Sequence, residues 1–121
     1  MSVEEAEFIK KNNLQKSIFF SPELPIKEIF KNIGKNVYLT VDLDVLNPAL
    51  MPAVGTPEPG GLIWYPFISF LKELFIQKNV VGADIVELAP IPGISAPNFI
   101  AAYIAYKIIG YKFFAKKLIV K

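Results

Sequence analysis

Few side chains in this 121-residue chain can do chemistry. There is no His and no Cys, and all 13 basic residues are Lys. Within the chain itself this excludes thiol nucleophiles, disulfide frameworks, zinc ribbons and any imidazole base. Carboxylates, amides, lysines and hydroxyls remain. Asp is scarce: Asp42, Asp44 and Asp84 stand against eight Glu. Two of the three Asp fall in Thr40-Val-Asp-Leu-Asp-Val-Leu-Asn-Pro48. Residues i and i+2 of an extended segment point to the same side, so this spacing predicts two carboxylates presented together. Such a pair repels and desolvates badly unless a positive charge lies between them. Hard oxygen donors suit Mg, Ca or Mn. The same Asp-x-Asp pattern also occurs as an ordinary cap at a strand end, and the pair alone leaves both readings open.

Glu87 is the next candidate, in Gly82-Ala-Asp-Ile-Val-Glu-Leu-Ala-Pro90. Read by itself, it either closes a turn before Pro90 or faces a ligand. Between the two acidic segments runs Pro52-Ala-Val-Gly-Thr-Pro-Glu-Pro-Gly-Gly-Leu62. Its Pro and Gly content excludes a helix or an interior strand over about Leu46–Leu62. Loops of this length inside compact domains are uncommon and usually functional. The apolar, Pro-stiffened composition favours an ordered loop.

The elements that must position these residues follow from capping and periodicity. Ser2-Val-Glu-Glu5 reads as a capping box opening a helix over about 3–12. Ser17–Phe20, bounded by Ser21-Pro22, reads as a short strand. Ile26, Ile29, Phe30 and Ile33 recur at helical spacing, with Pro25 suited to the first turn and Gly34 to the position past the end. Asn36–Asp42 has the β-branched and aromatic content of a strand. Trp64–Lys78 is an amphipathic helix with Trp64, Phe67, Ile68, Leu71, Leu74 and Phe75 on one face. Asn79–Glu87 is a second buried strand. Ser95 caps an apolar helix over about Pro97–Ile109, expected to be packed on most sides and to end at Gly110. Residues 111–121 continue that helix or form a last strand. The alternation predicts an α/β fold, a three-layer arrangement with a parallel sheet between helices, in one domain over residues 1–121. In such sheets ligands bind beyond the carboxyl ends of the strands, where Asp42, Asp44 and Glu87 all fall.

Composition narrows the classes further. Apolar residues make up 53% and charged residues 20%, which excludes a disordered chain. A net charge of +2 gives no electrostatic footprint for nucleic acid. The longest apolar run, about Ile94–Tyr106, is interrupted by Asn98 and falls short of a membrane span. Met1-Ser-Val-Glu-Glu lacks the basic start of a signal peptide. A cytoplasmic protein is expected.

The three segments together resemble the ureohydrolase family of arginases and agmatinases. That family carries a Ser-x-Asp-x-Asp-x-x-Asp-Pro strand end, a Pro-Gly-Thr-Gly-Thr-Pro-Glu-Pro-Gly-Gly-Leu loop, and a later strand ending in Val-Glu near a Pro. The resemblance covers essentially the whole chain and corresponds to the C-terminal part of the family fold. It implies a manganese-dependent hydrolase that releases urea from a guanidino compound, with two Mn ions held between carboxylates and two histidines. By motif position Asp42 would bridge both ions, Asp44 would bind one, and Glu87 would pair with the substrate guanidinium. Thr56, Pro57, Glu58, Gly60 and Gly61 would wall the site. The His-bearing segments of the family have no counterpart here, so the resemblance implies an incomplete metal site and a chain inactive alone. Asn47 stands in place of the third motif Asp, Ala53 and Val54 in place of Gly and Thr, and Thr40 in place of Ser. Gly93 and Asn98 replace the Asp and Thr common in agmatinases. A partial sheet also leaves apolar edges, which predicts a homo-oligomer or docking of an N-terminal partner chain. The alternatives are a non-catalytic oligomeric remnant of the fold and, more remotely, an unrelated Asp-x-Asp protein binding a metal–nucleotide.

Overall fold

The computed structural model describes residues 2–19, 24–115 and 117. Backbone contacts divide the chain into two compact units, 1–33 and 34–121.

The first unit holds two short helices. Helix α1 spans Val3–Lys11, and the capping box forms as expected. The Glu5 carboxylate accepts from the Ser2 amide at 2.6 Å, and the Ser2 hydroxyl accepts from the Glu5 amide at 3.2 Å. Helix α2 spans Ile26–Asn32 and buries only Phe30. Ile26, Ile29 and Ile33 are half-buried. Pro25 sits at the N-cap rather than inside the first turn, and its carbonyl accepts the Glu28 and Ile29 amides. The short strand expected at Ser17–Phe20 does not form over Ser17–Phe19, where the backbone leaves a turn without a strand partner. Phe20, Ser21 and Pro22 lie outside the described residues.

The second unit carries the α/β core. Strand β1 spans Asn36–Asp42 and β2 spans Asn79–Val86, and they pair in parallel. The pairing is irregular at one place. Val37 faces Val80 but Tyr38 faces Gly82, so β2 holds one extra residue, Val81. Beyond this bulge Thr40 faces Asp84 and Asp42 faces Val86. Along β1 exposed and more buried residues alternate, with Val41 the most buried. This is the period-2 signature of a sheet with one covered face.

Helix α3 spans Trp64–Gln77 and α4 spans Ala96–Phe114. Both contact β2 and each other. Helix α3 buries Phe67, Leu71, Leu74 and Phe75, the stripe expected from its periodicity. Helix α4 differs from expectation in three ways. It buries one narrow stripe, Pro97, Ala101, Ile104 and Ile108, and is not enclosed on most sides. Phe99 is 70% and Tyr106 67% exposed. The Ser95 side chain makes no cap hydrogen bond. The helix also runs through Gly110. A helical Gly costs about 1 kcal/mol, but the turn beyond it is anchored. Tyr111 packs against Phe75 with ring centroids 6.2 Å apart, and Lys112 Nζ donates to the Val80 carbonyl at 2.6 Å. Of the two alternatives for residues 111–121, the helical continuation is the one seen over residues 111–114, and most of residues 116–121 lie outside the described residues.

The Pro- and Gly-rich segment is ordered because it supplies the core. Leu46, Met51, Ala53 and Val54 are buried, as are Leu43, Leu71, Leu74 and Ile104. Its two ends meet in a parallel bridge, with the Leu62 amide donating to Val45 O at 2.8 Å and the Asn47 amide to Leu62 O at 2.9 Å. Among the described residues no helix is long and apolar enough to cross a membrane.

Candidate functional site

The exits of β1 and β2 lie side by side because the strands are parallel and paired up to Asp42 and Val86. Beyond β1 the chain leaves the extended conformation that the residue spacing suggested. Leu43–Val45 form a single 3-10 turn capped by Asp42. Asp42 Oδ1 accepts from the Asp44 amide at 2.9 Å. Asp42 thus acts as a cap on the turn that carries Asp44, which is the capping reading of the Asp-x-Asp pattern. Asp42 is exposed and Asp44 is half-buried. Thr56 Oγ1 donates to Asp44 Oδ2. Asp44 Oδ1 is buried and, among the described residues, has no hydrogen-bond partner.

That unpartnered oxygen is informative, because a buried carboxylate oxygen without a donor is costly and uncommon. Its chemistry suits a hard divalent cation. Number is another matter. Among the described residues no group of three or more His, Cys, Asp or Glu side chains could hold a metal ion. The donors present fit such an ion in kind and amount to part of its coordination sphere.

Glu87 follows β2 with φ of 67°, in the left-handed region. A Glu held there marks backbone strain, which clusters at ligand sites. The surroundings maintain it: two residues on, the Ala89 amide donates to Ala53 O at 2.8 Å, tying the β2 exit to the loop. The adjacent Gly55 lies against the carboxylate, with Glu87 Oε2 3.7 Å from the point a Cβ would occupy. Thr56, the next residue, is the donor to Asp44. Gly55 and Thr56 therefore link Glu87 to the aspartate pair.

The remaining wall residues divide. Gly61 packs on the backbone of Leu46 and Asn47. Pro57, Glu58 and Gly60 are exposed. The departures from the family pattern have local explanations. Asn47 Oδ1 accepts from the Ala49 amide at 2.9 Å, a role that needs one side-chain oxygen and no charge. Ala53 and Val54 are core residues. Gly93 has φ of 82°, in the left-handed region that favours glycine, and nothing in the structure explains Asn98.

One network was not singled out by sequence reasoning. Thr40 Oγ1 donates to Asp84 Oδ1 at 2.7 Å across the strands. That bond and a second from the Tyr38 hydroxyl hold the Asp84 carboxyl below the usual range, while Asp84 pushes the Tyr38 hydroxyl up. The clue lay in the i, i+2 spacing of Tyr38, Thr40 and Asp42, but the partner across the sheet depended on a bulge.

Comparison with known proteins agrees with the fold. A model of the arginase family matches residues 7–110. The chain is 42% identical over 114 residues to the N(1)-aminopropylagmatine ureohydrolase of Synechocystis, covering 89% of this chain and 37% of that protein. It is 40% identical over 90 residues to the agmatinase of Bacillus subtilis, covering 73% and 31%. The chain thus spans about a third of the length of these relatives. Among solved structures, the agmatine ureohydrolase of Thermoplasma volcanium superimposes with a TM-score of 0.63 at 33% identity, over 86% of this chain and 32% of that one. The arginase of Bacillus subtilis gives 0.71 at 23% identity, over 90% and 41%, a likeness of fold. With the motif order, the parallel strand pair and the match over most of its length in agreement, the chain belongs to the arginase family.

Proposed function

We propose that this chain contributes the carboxylate side of a manganese-dependent ureohydrolase centre acting on a guanidino compound of the agmatine or aminopropylagmatine class. The observation that carries the reading is the buried, unpartnered Asp44 Oδ1, beside Asp42 and joined through Thr56 and Gly55 to Glu87. Asp42 and Asp44 would hold the metal. When bound, paired manganese ions lower the pKa of a water and polarise the reacting carbon. Glu87 is exposed and would receive a guanidinium through charge-assisted hydrogen bonds. Its strained backbone would fix the approach of the substrate.

Asp42 and Asp44 leave the coordination sphere short, and the chain has no His. The other ligands would come from further polypeptide of the same fold. Exposed Tyr38, Val81, Val86 and Phe113 give such polypeptide, or a second copy of the chain, apolar surface to cover. The shortage of ligands also favours a second reading, a non-catalytic module of the fold.

Titration with manganese chloride separates the two. Under the first reading Mn raises the melting temperature beyond an equal ionic strength of NaCl, and Asp44→Asn abolishes the rise. Addition of a polypeptide bearing the family's His segments then yields Mn-dependent urea from agmatine or aminopropylagmatine, lost in Glu87→Ala. EDTA removes both effects. Absence of a Mn-specific shift, of association and of urea release would leave the non-catalytic module standing.

A further inference from the structure

We infer that Thr40 and Asp84 form a register clamp that positions Glu87 against the Asp42–Asp44 pair. The inference rests on the ureohydrolase reading for its functional meaning, and on strand geometry for its existence.

The bulge at Val81 makes register a real choice. Without it Tyr38 would face Val81, Thr40 would face Ala83 and Asp42 would face Ile85. A slip of one residue moves the β2 exit by about 3.3 Å and turns every β2 side chain to the opposite face. Glu87 would be displaced along the sheet and aimed away from the aspartates. Only in the bulged register does Thr40 stand opposite Asp84, where its hydroxyl donates at 2.7 Å. Ala83 could not accept that bond.

Tyr38 acts on the same residue from the other end. Its ring lies across Gly82, where an added Cβ would come within 2.7 Å of the ring. The bare Gly82 lets the Tyr38 hydroxyl reach Asp84, two residues further on and on the same face. Both donors lie on β1 and the single acceptor on β2. The clamp lies two residues before Asp42 and three before Glu87, touches neither, and forms between the bulge and the site. Thr40 and Asp84 are therefore positioning residues.

Hydrogen exchange on the intact chain tests this without any catalytic assay. The Ala89 amide, bonded to Ala53 O, reports order at the Glu87 exit, and the Lys78 amide, bonded to Leu74 O, reports helix α3. In Thr40→Val and in Asp84→Asn, Ala89 exchanges about five- to tenfold faster while Lys78 is unchanged, the scale of one charge-assisted hydrogen bond at an exposed site. Thr40→Ser restores the wild-type rate. Equal acceleration at Ala89 and Lys78 would show loss of global stability alone and overturn the clamp, as would an unchanged Ala89. If either variant fails to fold, Tyr38→Phe, which removes only the outer donor, gives the same selective acceleration in milder form, and its absence overturns the clamp. Where the complemented protein releases urea, Thr40→Val raises KM for the guanidino substrate and leaves Mn-dependent stabilisation intact. A chain that never releases urea defeats the ureohydrolase reading and leaves the exchange result to decide the clamp.

Discussion

Substitution of Gly61 by Ala should be the most damaging single-methyl change in the loop, and the reason is space rather than torsion. A Cβ on Gly61 would lie 2.5 Å from the Leu46 carbonyl carbon, 2.6 Å from Asn47 N and 2.6 Å from Leu46 O. Non-bonded carbons settle near 3.5–4.0 Å, so the two segments must part by about 1 Å. All three obstructing atoms are backbone and cannot rotate away. They belong to the bridge in which Leu62 N donates to Val45 O at 2.8 Å and Asn47 N to Leu62 O at 2.9 Å. Parting by that amount breaks both bonds, at about 0.5–1.5 kcal/mol each. Overpacking itself adds about 1–3 kcal/mol. A loss of about 2–6 kcal/mol results, a large share of the 5–15 kcal/mol typical of a domain. With a urea slope of about 1–3 kcal/mol/M, the midpoint falls by roughly 2 M. Gly60→Ala is the control. Gly60 has φ of +91° but nothing within 4 Å of its would-be Cβ, so it bears only the left-handed penalty of about 1–2 kcal/mol. Chemical denaturation of both variants decides the matter. If Gly60→Ala proves as costly as Gly61→Ala, or Gly61→Ala leaves the midpoint unmoved, the close packing of the loop ends is wrong.

Other outcomes rest on the same geometry. Met51 is fully buried within the loop, so Met51→Ala should cost about 2–5 kcal/mol, and a denaturation midpoint within error of wild type would show that the loop is not part of the core. Thr56→Val removes the donor to Asp44 Oδ2 and should cost about 1–2 kcal/mol without metal, discounted from the usual worth of a bond to a charged group because the site is partly solvated. Thr56→Ser should recover it in the same melts. The Thr40–Asp84–Tyr38 network gives a pH window. Hydrogen bonds from Thr40 and Tyr38 lower the Asp84 pKa, so its contribution is present above the unfolded Asp value of about 3.9 and lost as pH falls through the folded one. Tyr38 is raised by Asp84, so its contribution is present below about 10 and lost as pH rises through the folded value. The stability difference between wild type and Thr40→Val, measured by denaturation across pH, should therefore shrink toward zero in acid. A difference that persists unchanged at pH 2 contradicts the assignment.

What the sequence disclosed depended on how local the deciding interaction was. Strand β1, helix α3 and the capping box of α1 rest on side chains within a few positions of each other, and they form where patterning places them. Gly110 shows the opposite. As a local signal it ends a helix, but Phe75 and the Val80 carbonyl, each some thirty residues away, hold the next turn in place. The apolar helix α4 misleads in the same way: apolar content all round suggests enclosure, and only the packing partners decide which stripe is covered. In the candidate site, residue types and order singled out Asp42, Asp44 and Glu87. Their mutual arrangement was not legible, since it depends on a 3-10 turn, a left-handed Glu and a one-residue bulge.

The loop explains how so small a site can be precise. Ordinarily a ligand-facing loop is loosely held, because residues committed to a ligand are unavailable to a core. Here the two duties are separated along the chain. Leu46, Met51, Ala53 and Val54 are buried, and Gly55 and Thr56 come immediately after as the residues that touch Glu87 and Asp44. The Ala53 carbonyl accepts from Ala89, so the buried stretch also holds the β2 exit. Rigidity gained in the core is thus delivered one residue later to the carboxylates. This arrangement keeps Asp44 Oδ1 buried without a donor: a looser loop would let water or a backbone amide satisfy it. The unsatisfied oxygen and the strained Glu87 are two costs borne by the same ordered segment, and on the proposed function a cation on one side and a guanidinium on the other would offset them.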